Sequence, residues 1–123
     1  MGPTSRETIM IVEDELFVRM IGADALAQAG YQVIEAGSAD EALRLLEQAS
    51  DVNVLFTDIR MPGSMDGLAL AAAVHRRWPG IRILVTSGDT RPSSDALPDD
   101  GRFLAKPYRF DTLSRELSSL LRH

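Results

Sequence analysis

The chain has 123 residues, which is enough for one domain with a single hydrophobic core and too few for two. It is 45% hydrophobic and 25% charged, as globular proteins are, and no apolar run approaches the length of a membrane span. The net charge of −5 argues against direct binding to nucleic acid, and the absence of cysteine excludes disulfides and thiolate metal sites and fits a cytoplasmic location. The first residues lack the apolar segment of a signal peptide, and Met1 favours a natural N-terminus.

Five short apolar runs predict five β-strands, which cover residues 9–12, 31–36, 52–57, 81–85 and 103–105. Helical patterns lie between them. The first helix is predicted over residues 16–29, ends at Gly30 and has apolar residues at Leu16, Phe17, Met20, Ile21 and Ala27. The second follows a capping box of Ser38 and Glu41 and carries on one face Ala42, Leu45, Leu46 and Ala49.

The second half of the chain has two clear helical patterns and one weak one. A helix marked by Leu70, Val74 and Trp78 is stopped by Pro79-Gly80. The last helix has one apolar stripe, formed by Phe110, Leu113, Leu117, Leu120 and Leu121. Residues 87–100, SGDTRPSSDALPDD, contain two prolines and little apolar face, so a helix here is expected to be short or replaced by a loop.

The alternation of strands and helices predicts an α/β fold, with a parallel sheet covered by helices on both faces. The nearly continuous apolar runs support this prediction, because central parallel strands are buried on both sides. Five strands with these connections favour a doubly wound, flavodoxin-like sheet of order 2-1-3-4-5. Residues 1–123 are expected to form one domain, with a core over about residues 8–122.

The polar residues of interest all follow the ends of predicted strands. They are Glu13 and Asp14 after the first strand, Asp58 after the third, Thr86 after the fourth and Lys106 after the fifth. In an open α/β sheet, ligands bind beyond the carboxyl ends of the strands, where the strand order reverses. In the predicted order this point lies between strands 1 and 3, so the three acids should converge there.

Three carboxylates in one crevice repel each other, and a bound cation would relieve that repulsion. Ligands that are all oxygen suit Mg²⁺. We expect Asp14 and Asp58 to be direct ligands, together with the backbone carbonyl of Arg60. The longer side chain of Glu13 is expected to act through a water molecule.

A metal site alone would not need the hydroxyl of Thr86 or the ammonium of Lys106, whereas a phosphoryl group would need both a positive point charge and hydrogen-bond donors. Lys106 is the only lysine among 13 basic residues, and lysine differs from arginine where a compact charge is needed. Asp58 is then the candidate nucleophile. Each residue alone has an ordinary structural explanation, such as acids at a helix start, but the combination points to phosphoryl chemistry.

Four stretches closely resemble the receiver domains of two-component response regulators, and the resemblance runs from Ile9 to Leu121. They are IMIVEDE (9–15), LFTDIRMPGSMDGL (55–68), ILVTSG (83–88) and FLAKPY (103–108). The resemblance implies that Asp58 is the phosphoacceptor, and that Glu13 and Asp14 hold Mg²⁺ together with the Arg60 carbonyl.

The resemblance also implies the parts of a switch. Thr86 would be the hydroxyl that moves towards the phosphoryl group, and Lys106 would bind a phosphoryl oxygen. The Lys106-Pro107 bond is expected to be cis. Phe103 occupies the position of the aromatic switch residue, without the hydroxyl of a tyrosine. The weak helix at residues 87–100 affects the face on which many relatives dimerise or meet a target, and the loop after Asp58 is one residue longer than in many relatives.

Several functions remain open from the sequence. The leading hypothesis is a single-domain regulator, not a turnover enzyme, which takes phosphate from a histidine kinase or phosphotransfer protein and controls an unknown protein partner, with phosphorylation-dependent dimerisation as one outcome. A second is a receiver cut from a hybrid histidine kinase or larger regulator. A third, a small aspartyl-phosphate hydrolase, would need a general acid–base near Asp58, and we expect His75 and His123 to be surface residues. A flavodoxin-like cofactor binder would need a phosphate-binding loop where this chain has VEDEL.

Overall fold

The computed structural model describes residues 7–48, 51–63, 65–89, 91–98 and 101–122. The predictions on Ala49 and His123, and those on residues 90, 99 and 100 within the segment 87–100, lie outside them. All five predicted strands are present within these ranges. They are β1 (Thr8–Val12), β2 (Gln32–Ala36), β3 (Val54–Asp58), β4 (Arg82–Ser87) and β5 (Arg102–Ala105). The helices are α1 (Leu16–Gln28), α2 (Ala39–Gln48), α3 (Gly67–Arg77) and α4 (Phe110–Leu121).

The strands form one parallel sheet in the order β2-β1-β3-β4-β5, which confirms the predicted flavodoxin-like topology. The register sets the carboxyl ends of the central strands side by side. Val12 of β1 pairs with Thr57 of β3, and Asp58 pairs with Thr86 of β4. The residues that follow β1 and β3 therefore lie at one edge of the sheet.

Helices cover both faces of the sheet, because successive side chains along each strand point to opposite sides. On β1, Met10 packs in a core cluster with residues of α2 and α3, whereas Ile11 packs in a second cluster with residues of α1 and α4. Both side chains are almost fully buried. None of the described helices is long and apolar enough to cross a membrane.

The predicted helix ends are present with one difference in detail. Gly30 follows α1 with a φ of 103°, a left-handed conformation that glycine adopts readily. At the start of α2, the Glu41 amide donates to Ser38 Oγ at 3.1 Å, as a capping box requires. The return bond goes to the neighbouring residue, because the Gly37 amide donates to Glu41 Oε1 at 2.7 Å.

The apolar side chains that indicated α1 do not face the core. Phe17 is 77% exposed and Ile21 is 63% exposed, and Leu16 and Met20 are also exposed. The buried face of α1 consists instead of Gly22, Ala23 and Leu26. Small residues let α1 approach the sheet closely, since a Cβ added to Gly22 would lie 2.7 Å from Ile11 Cδ1.

The β4–β5 connection, residues 88–101, has no full helix among its described residues. It contains a single 3₁₀ turn at Ser94–Ala96. This outcome confirms the expectation of a short or missing helix, because two prolines interrupt the segment and few of its side chains could cover a sheet face. Leu97 of this connection packs against the core.

Candidate functional site

Three carboxylates meet where β1 and β3 end. Oxygen atoms of Glu13, Asp14 and Asp58 all lie within 4.8 Å of one another. Glu13 and Asp58 are buried and Asp14 is exposed. These three residues and Lys106 are called the acidic corner below. The convergence follows from the parallel register, which sets the end of β1 beside the end of β3.

Lys106 joins two of these carboxylates. Its Nζ donates to Glu13 Oε1 and to Asp58 Oδ2, both at 3.1 Å, although these residues lie 93 and 48 positions away in the sequence. The end of β5 positions the side chain, because the Lys106 amide donates to the Ser87 carbonyl at 3.0 Å. The Lys106-Pro107 peptide bond is cis, as the resemblance implied.

Burial and charge act in opposite directions at this corner. Burial raises the pKa of Glu13, and this effect exceeds the opposing effects of the Glu15 amide, which donates to Glu13 at 3.1 Å, and of Lys106. For Lys106, burial acts to lower the pKa, but hydrogen bonds to Asp58 and Glu13 hold that pKa above its ordinary value. Lys106 is therefore charged at neutral pH, and one ammonium compensates the carboxylates only in part.

The Thr86 hydroxyl is directed away from the acids. It is buried on β4 opposite Asp58, and its Oγ1 donates to the Leu104 carbonyl of β5 at 2.6 Å. A contact between this hydroxyl and a group on Asp58 would require that bond to break. The Thr86 hydroxyl therefore lies next to the site with its hydrogen bond already made to another acceptor.

Arg60 contacts the corner through its backbone amide, which donates to Asp58 Oδ1 at 3.3 Å. Its side chain reaches the β4–β5 connection, where Nη1 lies 3.3 Å from Asp89 Oδ2, and both side chains are largely exposed. The role of the Arg60 carbonyl as a metal ligand stays a prediction. Arg60 thus links the loop after β3 with the connection after β4.

Phe103 lies on β5 beside Val85 and is partly buried against the core cluster that includes α2 and α3. The guanidinium carbon of Arg91 lies 5.4 Å from the centroid of its ring, a cation–π distance. The predicted switch residue is therefore in contact with the β4–β5 connection.

The sequence did not single out three residues that the structure brings to this site. Gly67 begins α3 against the backbone of β3, and a Cβ added there would clash with the Asp58 carbonyl oxygen. Tyr108 lines a small cavity with Glu13, Asp58 and other residues, and burial raises the pKa of its phenol. Arg19, discussed below, binds the backbone at Glu13. The sequence offered two signals, the position of Gly67 at a helix start and the position of Arg19 within an apolar stretch.

The donor set of the corner fits a divalent cation. Three carboxylates and one ammonium leave two negative charges, which one divalent cation would neutralise. All the donors are oxygen atoms, and the exposed Asp14 gives access from solvent, as Mg²⁺ requires when it keeps part of its water shell.

Sequence comparison identifies related proteins along nearly the whole chain. The sequence profile described as response regulator receiver domain matches residues 9–118. The sensor kinase CckA of Brucella abortus is 36% identical over 118 residues, which make up 93% of this chain and 12% of CckA. The C4-dicarboxylate transport transcriptional regulatory protein DctD of Rhizobium meliloti is 37% identical over 109 residues, or 86% of this chain and 23% of DctD. The chain thus spans less than a quarter of either relative.

Solved structures of receiver domains match the fold over nearly all of this chain. A response regulator receiver protein from Sinorhizobium medicae has a TM-score of 0.87 and 25% identity, with 96% of each chain covered. The receiver domain of the hybrid histidine kinase CckA has a TM-score of 0.78 and 32% identity, with 93% of this chain and 98% of that chain covered.

Proposed function

The chain belongs to the family of response regulator receiver domains of two-component systems, and we propose that it accepts a phosphoryl group on Asp58 from a histidine kinase or a histidine phosphotransfer protein. Receiver domains are phosphoacceptors that bind Mg²⁺ at an acidic pocket. The observation that carries the proposal is the contact of Lys106 with both Glu13 and Asp58. It sets a fixed positive charge beside the candidate nucleophile.

Phosphoryl transfer to Asp58 requires mainly a positioned nucleophile and positive charge near the phosphoryl oxygens. An Asp58 carboxylate oxygen forms a bond to phosphorus while the bond from phosphorus to the donor nitrogen breaks, and the electron pair of that bond leaves with the imidazole. Lys106 would then exchange part of its contact with the carboxylates for a phosphoryl oxygen. The Thr86 hydroxyl would break its bond to the Leu104 carbonyl and donate to another phosphoryl oxygen. This exchange would shift β4 relative to β5.

We further propose that Asp14, Asp58 and the Arg60 carbonyl hold Mg²⁺ directly and that Glu13 acts through water. The net charge of the acidic corner supports this assignment. When bound, the cation supplies charge neutralisation for the phosphoryl oxygens.

The exposed apolar side chains support a protein as the phosphoryl donor. Among the described residues, the exposed large hydrophobic side chains are Leu16, Phe17, Val18, Met20 and Ile21 of α1 and Phe110 of α4. The first five lie in the first two turns of α1, which begins two residues after Asp14, and Val18 lines a small cavity with Glu13 and Asp58. A donor protein that brings its histidine to Asp58 would approach the start of α1, and exposed apolar side chains favour such contact.

We extend the proposal to the bounds of the domain, its location and its output. All five strands lie in one sheet, which supports a single receiver domain over residues 1–123. The absence of cysteine supports a cytoplasmic location. A downstream protein target, with or without phosphorylation-dependent dimerisation, would bind the switched form.

Turnover chemistry is not expected. His75 lies about 12 Å along α3 from the end that contacts Asp58, too far to act as its general acid–base.

Beryllofluoride, which mimics a phosphoryl group on aspartate, tests the proposal. With Mg²⁺ it should shift the backbone amide resonances of residues that end β3, β4 and β5, and acetyl phosphate should add the mass of one phosphoryl group. The variant Asp58→Asn should show neither change, whereas Asp51→Asn, an exposed acid at a distance from the corner, should behave like the wild type. No Mg²⁺-dependent response in the wild type would contradict the proposal.

A further inference from the structure

Arg19 connects three elements beside the acidic corner. It lies on α1, its Nη1 donates to the Glu13 backbone carbonyl at 2.8 Å, and its Nε donates to Glu35 Oε1 of β2 at 3.2 Å. The side chain is only 18% exposed. One guanidinium therefore ties the end of β1 to a helix and to the neighbouring strand.

The bond from Arg19 to the Glu13 carbonyl lies just beyond the last paired residue of β1. The last paired residue of β1 is Val12, so the carbonyl of Glu13 lies beyond the ladder to β3. The Glu13 amide still donates to the Ala36 carbonyl at 3.1 Å. Arg19 donates to the Glu13 carbonyl, and thereby fixes the peptide that joins Glu13 to Asp14.

The surroundings of Arg19 suit a guanidinium and not an ammonium. Two donors of a planar fork are used in two directions, one on a carbonyl and one on a carboxylate. Gly37 leaves room for the group, since a Cβ there would lie 3.1 Å from Arg19 Nη1. Glu35 balances the positive charge, so the pair does not repel a cation bound nearby.

We propose that Arg19 is a positioning residue for the cation site, which holds the backbone of Glu13 and Asp14 so that both carboxylates face Asp58, while Glu35 aligns the guanidinium. This inference rests on the proposed function, because it assumes that the two acids serve a cation. Groups that orient metal ligands typically change metal affinity by about tenfold or more when removed. Loss of Arg19 should therefore weaken Mg²⁺ binding without removing any ligand.

The test is a Mg²⁺ titration of the full chain, in which the amide resonances of residues 13–15 and 58–60 give the Kd. Arg19→Gln should raise the Kd about tenfold, and Arg19→Lys, which keeps the charge but not the fork, should raise it by a smaller factor. Arg77→Gln is the control, because it removes another arginine–glutamate pair between a helix and its neighbour, to Glu47 at 2.9 Å, at a more exposed place between α3 and α2. The control should leave the Kd unchanged.

Thermal unfolding without Mg²⁺ separates positioning from general stability. The inference is supported if Arg19→Gln is still fully folded at the temperature of the titration and only this variant, not Arg77→Gln, raises the Kd. It is overturned if Arg19→Gln binds Mg²⁺ with the wild-type Kd. If Arg19→Gln does not fold, the Kd of Arg19→Lys decides by the same criterion. A wild type that binds no Mg²⁺ would instead contradict the proposed function itself.

Discussion

The acidic corner and the β4–β5 connection are neighbours, and they are held by contacts of very different strength. In the corner, one ammonium bonds two buried carboxylates at the ends of two other strands. Removal of one partner from a buried ion pair costs about 3–5 kcal/mol, because the other charge is left without compensation. The geometry around Asp58 is therefore resistant to change.

Apart from Leu97, which packs against the core, the described residues of the β4–β5 connection are held by exposed contacts. Arg60 pairs with Asp89 while both are largely exposed, and Arg91 stacks on Phe103. Exposed ion pairs contribute about 0–1 kcal/mol, and exposed cation–π contacts about 0.5–1 kcal/mol. The proposed chemistry therefore lies at the strongly held site, whereas the contacts of the neighbouring connection contribute little free energy.

The largest loss of stability is expected where the backbones of α3 and β3 are forced apart. Gly67→Ala would push a Cβ into the Asp58 carbonyl oxygen, and because backbone must move, the free energy of unfolding should fall by about 3 kcal/mol or more. Chemical denaturation measures this loss. In Gly80→Ala the added Cβ meets no atom within 4 Å, so that control should change stability by less than about 0.5 kcal/mol. Equal effects at the two positions would contradict the close packing of α3 on β3.

Removal of the bridging ammonium of Lys106 should cause the next largest loss of stability. Lys106→Met leaves Glu13 and Asp58 without their partner, so the free energy of unfolding without metal should fall by about 2 kcal/mol, less than for a fully buried pair because Lys106 is 25% exposed. Mg²⁺ should bind more tightly, since one positive charge is gone, while the beryllofluoride response should weaken. Titration and denaturation with and without Mg²⁺ measure both changes.

The control for that variant keeps the charge. Lys106→Arg should leave folding nearly intact and weaken the response to beryllofluoride, because a guanidinium cannot replace a compact point charge at the same place. Wild-type switching in Lys106→Arg would refute the role of Lys106 as a point-charge contact. Weaker Mg²⁺ binding in Lys106→Met would refute the charge argument.

Thr86 lies at the boundary between the two regions, so its loss should have an intermediate effect. Thr86→Val preserves the shape of the side chain but removes the 2.6 Å bond to Leu104, which should cost about 1–2 kcal/mol of unfolding free energy. The variant should still bind Mg²⁺ and should show a reduced shift of β5 resonances with beryllofluoride. Thr8→Val is the control, since its bond to Gln32 is long, at 3.4 Å, and lies at the other end of β1. An unchanged β5 response in Thr86→Val would exclude the hydroxyl from the switch.

The sequence predicted the parts of this molecule that depend on local pattern and on strand order. The apolar run before Glu13 and the capping box at Ser38 are local signals, and the structure contains both features. The meeting of Glu13 with Asp58 follows from the parallel order, because the carboxyl ends of adjacent strands share one edge. No long-range detail was needed for either prediction.

The sequence could not predict which side of α1 is covered or where individual polar groups bond. Phe17 and Ile21 have the spacing of a buried face, but Gly22 and Ala23 allow the closer approach to the sheet and so form the contact instead. Periodicity identifies a helix and cannot choose between two apolar sides. The bond from Thr86 to Leu104 depends on side-chain orientation, which pattern does not specify.

The smallest expected effect is on the weakly held side. Arg91→Gln removes the cation–π contact with Phe103, and because Arg91 is exposed, the free energy of unfolding should fall by less than about 1 kcal/mol, with Mg²⁺ affinity unchanged. The Phe103 ring resonances should nevertheless shift, since their neighbour is gone. Arg76→Gln, an exposed arginine on α3, should change neither property and serves as the control. A loss as large as that of Lys106→Met would mean that the connection is held as firmly as the acidic corner, and a phosphoryl group on Asp58 would then have no weakly held segment to rearrange.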